Sequence, residues 1–206
     1  MPWGRMTFRP RLAFVLAGVL LTACSDGKLP DLMAFLPTGP LPAMRWDARP
    51  EAAVWTARTL SAVAARDSDL AGQVPTDIEA YCPGYATAPL GARRAFWVGL
   101  MSATAKYESS YDPKAAGGGG RYVGLMQISP RTAAGAGCEA TSTVALKDGA
   151  ANLACAVQIF APHVGEDGQV AGKGNRGVAR DWGPFKKASV RAEIAEWTSA
   201  QAYCKA

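Results

Sequence analysis

The chain has 206 residues but a single histidine, His163, and no C-x-x-C pair. Zinc sites and thiol-redox centres need such residues in clusters, so neither a metal nor a cofactor is expected. His163 follows a proline and has no evident partner nearby, which points to a surface or helix-end role. Four consecutive glycines at 117–120 lack the Lys-Ser/Thr that would follow in a phosphate loop, and read as a plain loop. The apolar run at 12–23 is about a dozen residues, short of the ~18 or more that a membrane-spanning helix takes. Period-two alternation is missing too, which leaves a sheet-built fold without a signal. With 49% hydrophobic and 19% charged residues, the composition excludes a disordered or fibrous chain and fits one globular domain with additions.

What is present begins at the N-terminus. Arg5, Arg9 and Arg11 precede the apolar run LAFVLAGVLLTA, and Cys24 follows directly. A basic segment, an apolar core and small residues make a bacterial export signal. The stretch L-T-A-C at 21–24 resembles a lipobox, in which the Cys24 thiol is lipidated and becomes the new N-terminus, with acyl chains replacing the removed apolar segment as membrane anchor. Ser25 and Asp26 resemble the pattern of lipoproteins sorted to the outer membrane. Loss of residues 1–23 removes three arginines and no acid, taking the formal charge from +5 to +2. Nucleic-acid binding then has little electrostatic support.

Cys82, Cys138, Cys155 and Cys204 remain. Four cysteines in an exported domain imply two disulfides, with three connectivities open. Cys138 and Cys155 flank the loop between two expected helices, so the working expectation pairs them and leaves Cys82 to join Cys204.

The division expected along the chain is a signal peptide at 1–23, a lipidated proline-rich tether at 24–48, and a domain at 49–206 with an N-terminal helical extension. Pro30, Pro37, Pro40 and Pro42 preclude a long helix in the tether. Helices are expected from Pro50 to about Arg66, over 90–108, after the Ser129-Pro130 cap, from Asp148 through NLACAVQIF, briefly around 178–182, and from Ser189 onward. The fold class is mainly α, with at most a small hairpin around 122–128.

In the 90–108 helix, Trp97, Met101, Thr104 and Glu108 follow one stripe. Glu108 thus sits at the negative end of the helix dipole beside apolar side chains, and both effects favour its protonated form. A carboxylic acid kept protonated near neutral pH can protonate a leaving oxygen. The competing reading is a solvated helix terminus ended by Pro113.

The segment ESSYDPKAAGGGGRYVGLMQISPRTA is similar to the paired E-S and G-L-M-Q-I motifs of the soluble lytic transglycosylase family, related in fold to goose-type lysozymes; the resemblance spans about residues 80–205. It implies a lysozyme-like, helix-dominated domain acting on peptidoglycan glycan strands. Glu108 would be general acid and then base. Ser109 would orient substrate or the acid. Gly124, Leu125, Met126 and Gln127 would line the cleft, with the Gln127 amide offered to sugar amide groups. Ordinary glycosidases use two carboxylates, for which Asp112, Asp148 and Asp181 are available. The resemblance implies a route with one, in which the C6 hydroxyl of N-acetylmuramic acid attacks its own anomeric carbon.

The family's late Y-N pair is missing. VARDWGPFK stands in that neighbourhood, with Asp181 and Trp182 at the expected place. Trp182 offers a stacking face, and Tyr122 or Tyr111 would have to replace the tyrosine. Two alternatives stay open: a muramidase that uses water, and a lipid-anchored protein that binds peptidoglycan without turnover.

Overall fold

The computed structural model describes residues 40–205; the export signal, Cys24 and the prolines at 30 and 37 lie outside the described residues. Five α-helices carry the fold: α1 (Ala52–Ala64), α2 (Leu90–Ser109), α3 (Pro130–Gly135), α4 (Gly149–Asp167) and α5 (Ala188–Ser199). Short 3-10 turns connect them. The only sheet among the described residues is a two-stranded antiparallel ribbon, β1 (Ala116–Gly117) with β2 (Tyr122–Val123), extended by a bridge between Val123 and Ile128. The helix-dominated, lysozyme-like class is the observed one.

Sequence capping decides where several helices start. The Ser129 hydroxyl accepts the Thr132 N–H at 3.0 Å, with Pro130 in the first turn of α3. Asp148 accepts the Ala151 N–H at 2.8 Å and opens α4. Helix α4 runs on through Pro162 to Asp167, past the apolar segment expected to contain it. It stops at Gly168, whose φ of +59° suits glycine.

Helix α2 is the axis of the core. Every residue from 95 to 105 is buried, because α1, α5, the 183–186 turn and the C-terminal 202–204 turn pack around it. Trp97 sits at its centre, donating its indole N–H to Tyr85 Oη at 2.9 Å, while Tyr85 donates to Leu70 O at 3.2 Å. A file of aromatic rings continues from Phe96 through Trp97 and Phe160 to Trp182.

Two disulfides close the structure, Cys82–Cys204 and Cys138–Cys155, the pairing expected from position. The first joins residues 122 apart and ties the segment ahead of α2 to the last 3-10 turn. The last part of the stretch assigned to a tether behaves differently from a linker. Met44 and Trp46 are buried, Trp46 donates to Thr56 Oγ1 at 2.9 Å, and the Arg45 N–H bonds Ser102 Oγ at 3.0 Å. Burial of two large apolar side chains makes these residues part of the core.

The segment GLMQ is fixed by one buried amide. Asn152 Oδ1 accepts the Met126 N–H at 2.8 Å, and its Nδ2 donates to Val123 O and Leu146 O, each at 3.0 Å. Gly124 makes this approach feasible. A Cβ there would lie 2.3 Å from Leu146 O and 2.4 Å from Asn152 Nδ2, and its φ is +79°. Asn152→Ala leaves one amide and two carbonyls buried without partners, and should cost roughly 2–4 kcal/mol in denaturant unfolding. Val144→Ala, at an 83% exposed position, should stay within about 0.5 kcal/mol on the same measurement.

Candidate functional site

Glu108 is the penultimate residue of α2. The helix ends because Ser110 and Tyr111 both take left-handed backbone angles, φ +52° and +65°, so the chain reverses before Pro113 is reached. Two successive non-glycine residues in that region are uncommon and store local strain.

Partial burial raises the Glu108 carboxyl to about 7, with loss of solvent as the cause. Neither a hydrogen bond nor an ion pair from a described residue reaches this carboxyl. Neither tyrosine considered as its support makes a hydrogen bond to it. Tyr111 has Arg45, Glu193 and Tyr107 as its charged and polar neighbours. Tyr122 is exposed, with the Arg121 guanidinium 6.0 Å from its ring. The Ser109 hydroxyl bonds back to Ala105 O at 3.3 Å within its own helix and makes no bond to the Glu108 carboxyl.

A small cavity of about 120 Å³ gathers Tyr122, Met126, Gln127, Asp181 and Trp182, with Ser129 at its edge. The individual geometries depart from the expected roles. Gln127 has a φ of +49° that folds its side chain back on the ribbon, and its amide N–H groups go to Gly124 O at 2.9 Å and Ala115 O at 3.3 Å. The donor expected to meet a sugar amide is therefore used by the backbone. Its Oε1 occupies the space a Cβ at Gly117 would take. Trp182 is 4% exposed, donates its indole N–H to Met126 O at 3.0 Å, and meets Phe160 edge-on. Its ring is largely buried in the core, with little surface left open for stacking. Leu125 and Met126 are fully buried and set the backbone path.

The three carboxylates available as second catalytic groups are engaged. Asp112 accepts the Lys114 N–H at 2.8 Å, Asp148 caps α4, and Asp181 bonds His163 Nδ1 at 2.7 Å. The His163 partner was not foreseen, since eighteen residues separate the pair and no spacing rule connects them. Asn152 was also missed as a site-building residue. The available signal was an amide inside the otherwise apolar run NLACAVQIF, which in a buried helix must find partners.

A second cluster adjoins Glu108. Glu193 of α5 takes the Arg45 guanidinium in a two-pronged pair, Lys106 Nζ at 3.1 Å and the Tyr107 hydroxyl. Its carboxyl is driven down to about 2, chiefly by the Arg45 hydrogen bond.

Comparison with known proteins gives the same direction. Residues 90–182 match the family described as Transglycosylase SLT domain. Among solved structures, the chain is similar to DslA in its wild-type form, with 26% identity and a TM-score of 0.71 over 81% of this chain and all of that one. Two glutamate-to-glutamine variants of DslA match equally, with TM-scores of 0.72 and 0.71. No curated protein matches the chain.

A carboxyl raised by burial favours the native state while protonated. The raised value of Glu108 therefore stabilises below the ordinary 4.5, and this contribution is lost as pH rises from there through about 7. Glu108→Gln removes the penalty of a desolvated charge. The variant should match wild type near pH 4 and exceed it at pH 8 by on the order of 1–2 kcal/mol, after allowance for partial solvent screening. Thermal unfolding at the two pH values measures the difference.

Proposed function

We propose, from the premise that the chain carries a transglycosylase SLT domain over residues 90–182, a peptidoglycan lytic transglycosylase that cleaves the β-1,4 bond between N-acetylmuramic acid and N-acetylglucosamine. The observation that carries this reading is Glu108, a partly buried carboxyl with no partner among the described residues, raised to about 7 at the end of the core helix.

Protonated Glu108 gives its proton to the glycosidic oxygen as the bond to the muramoyl anomeric carbon breaks. The carboxylate so formed takes the proton of the C6 hydroxyl, whose oxygen closes on the same carbon. The product is a 1,6-anhydromuramoyl end, water is not consumed, and Glu108 is again protonated. Engagement of Asp112, Asp148 and Asp181 in structural bonds supports a route with one carboxyl. An acid poised near neutral pH suits both proton transfers.

The same reading places the protein on the periplasmic face of the outer membrane, anchored through lipid on Cys24. The export signal supports this, as do two disulfides, which persist in oxidising compartments.

Digestion of purified peptidoglycan, read by mass spectrometry, should release anhydro-ended muropeptides. Glu108→Gln should slow release by about 10²–10⁴-fold, and wild-type activity should fall as pH rises through about 7. Products carrying one added water would assign a muramidase instead. Binding without any product would assign a nonenzymatic role.

A further inference from the structure

A polar cavity lies away from Glu108, on another flank of α4. It encloses about 360 Å³ between α1, α4 and the loop after α3, within the ~300–1,000 Å³ typical of ligand pockets. Residues 151, 154, 155 and 158 of α4 line it, whereas Ile159 of the same helix faces the small cavity beside Trp182. Alanines from both helices make the floor. The Cys138–Cys155 disulfide pins one wall to α4.

Polar side chains converge here without internal work to do. Arg58, Ser61, Glu139 and Gln158 line the cavity, and among the described residues none of the four makes a side-chain hydrogen bond or ion pair. Arg66 reaches Asp69 at 3.2 Å, yet its Nε is shielded from solvent with no acceptor. A hidden donor without a partner is costly, and a ligand acceptor would satisfy it.

Arg58 and Arg66 share one face of α1 and the turn that follows it. Eight residues at 1.5 Å rise separate them by roughly 12 Å. Carboxylates three or four residues apart on an extended chain, at about 3.3 Å per residue, span the same distance. Guanidinium groups bind carboxylates in a two-pronged fashion. Glu139 adds one negative charge at the rim, which repels a uniform polyanion and attracts an amino group.

We infer that this cavity is a second binding site, for a short extended peptide bearing two carboxylates and one amino group. That is the chemistry of the stem peptides on the polymer assigned above; the identity of the polymer rests on that assignment, while the site itself does not depend on Glu108. The cavity would hold a stem while the glycan is processed elsewhere on the domain.

Calorimetric titration of the full-length chain with isolated, sugar-free stem peptide tests the assignment. Saturable binding is expected. It should weaken about tenfold or more in Arg58→Gln and in Arg66→Gln, and likewise when the peptide carboxylates are amidated. Glu139→Gln should weaken the amino-bearing peptide and spare its N-acetylated form. Glu108→Gln should bind as wild type does, so this result stands apart from any loss of turnover. No binding, binding by both arginine variants as tight as wild type, or equally tight binding of inorganic phosphate would overturn the inference. Arg58 is exposed, so its variant should keep the wild-type unfolding temperature and report on binding alone.

Discussion

One buried carboxamide holds the site-building segment in place. Asn152 meets the backbone of Val123, Met126 and Leu146 with three hydrogen bonds. Trp182 takes the Met126 carbonyl from the other side. The backbone between ribbon and α3 is thereby pinned to both α4 and the late 3-10 turns, and each connection is buried, where an unmet polar group is expensive. The positions of Tyr122, Gln127 and Asp181 around the small cavity all follow from that path. Gly124 is a condition of the arrangement, because any side chain there would occupy the space of the Asn152 amide.

Against this background of satisfied groups, Glu108 stands out. Asp77 receives two backbone amides, from Val170 at 2.6 Å and Ala171 at 3.0 Å. Asp167 gathers Arg176, Arg180 and the Gly177 amide, and is held well below the usual carboxylate range. Both acids have their oxygens taken up by partners, and those of Asp167 hold it as an anion. Glu108 is surrounded only by burial, which moves it the opposite way. Glu139 also lacks a partner but is exposed, whereas the Glu108 carboxyl is desolvated without one, at a cost to stability when it is ionised.

Much of this was legible in residue order. Helix starts at Ser129 and Asp148 follow from local capping chemistry, and the apolar stripe that carries Glu108 follows from helical periodicity. The disulfide pairing was accessible because Cys138 and Cys155 flank one loop. Roles that depend on side-chain direction were not legible. Gln127 and Trp182 are polar-tipped residues near a cleft, and their composition suits ligand contact. Only a positive φ in the first and edge-on aromatic packing of the second turn their donors toward backbone carbonyls. The Asp181–His163 pair and the Glu193 cluster join elements distant in sequence, so no local pattern announces them. The order of Met44 and Trp46 was concealed by neighbouring prolines, which signal a linker irrespective of what the apolar residues between them touch.

The Glu193 cluster bears on why burial can act on Glu108 without opposition. Lys106 is two residues before Glu108, and Arg45 lies against the same end of α2 through its bond to Ser102 and its pair with Glu193. Unpaired cations within several ångströms would favour the carboxylate and pull its titration down. Glu193 accepts both cations together with the Tyr107 hydroxyl, which halves their net positive charge and so weakens their pull on a nearby carboxyl. The same contacts brace the last turn of α2 against α5 and the incoming chain, just ahead of the strained reversal at Ser110 and Tyr111. A single carboxylate on α5 thus does two things: it ties the helix end to Arg45 and offsets one of the two positive charges gathered there.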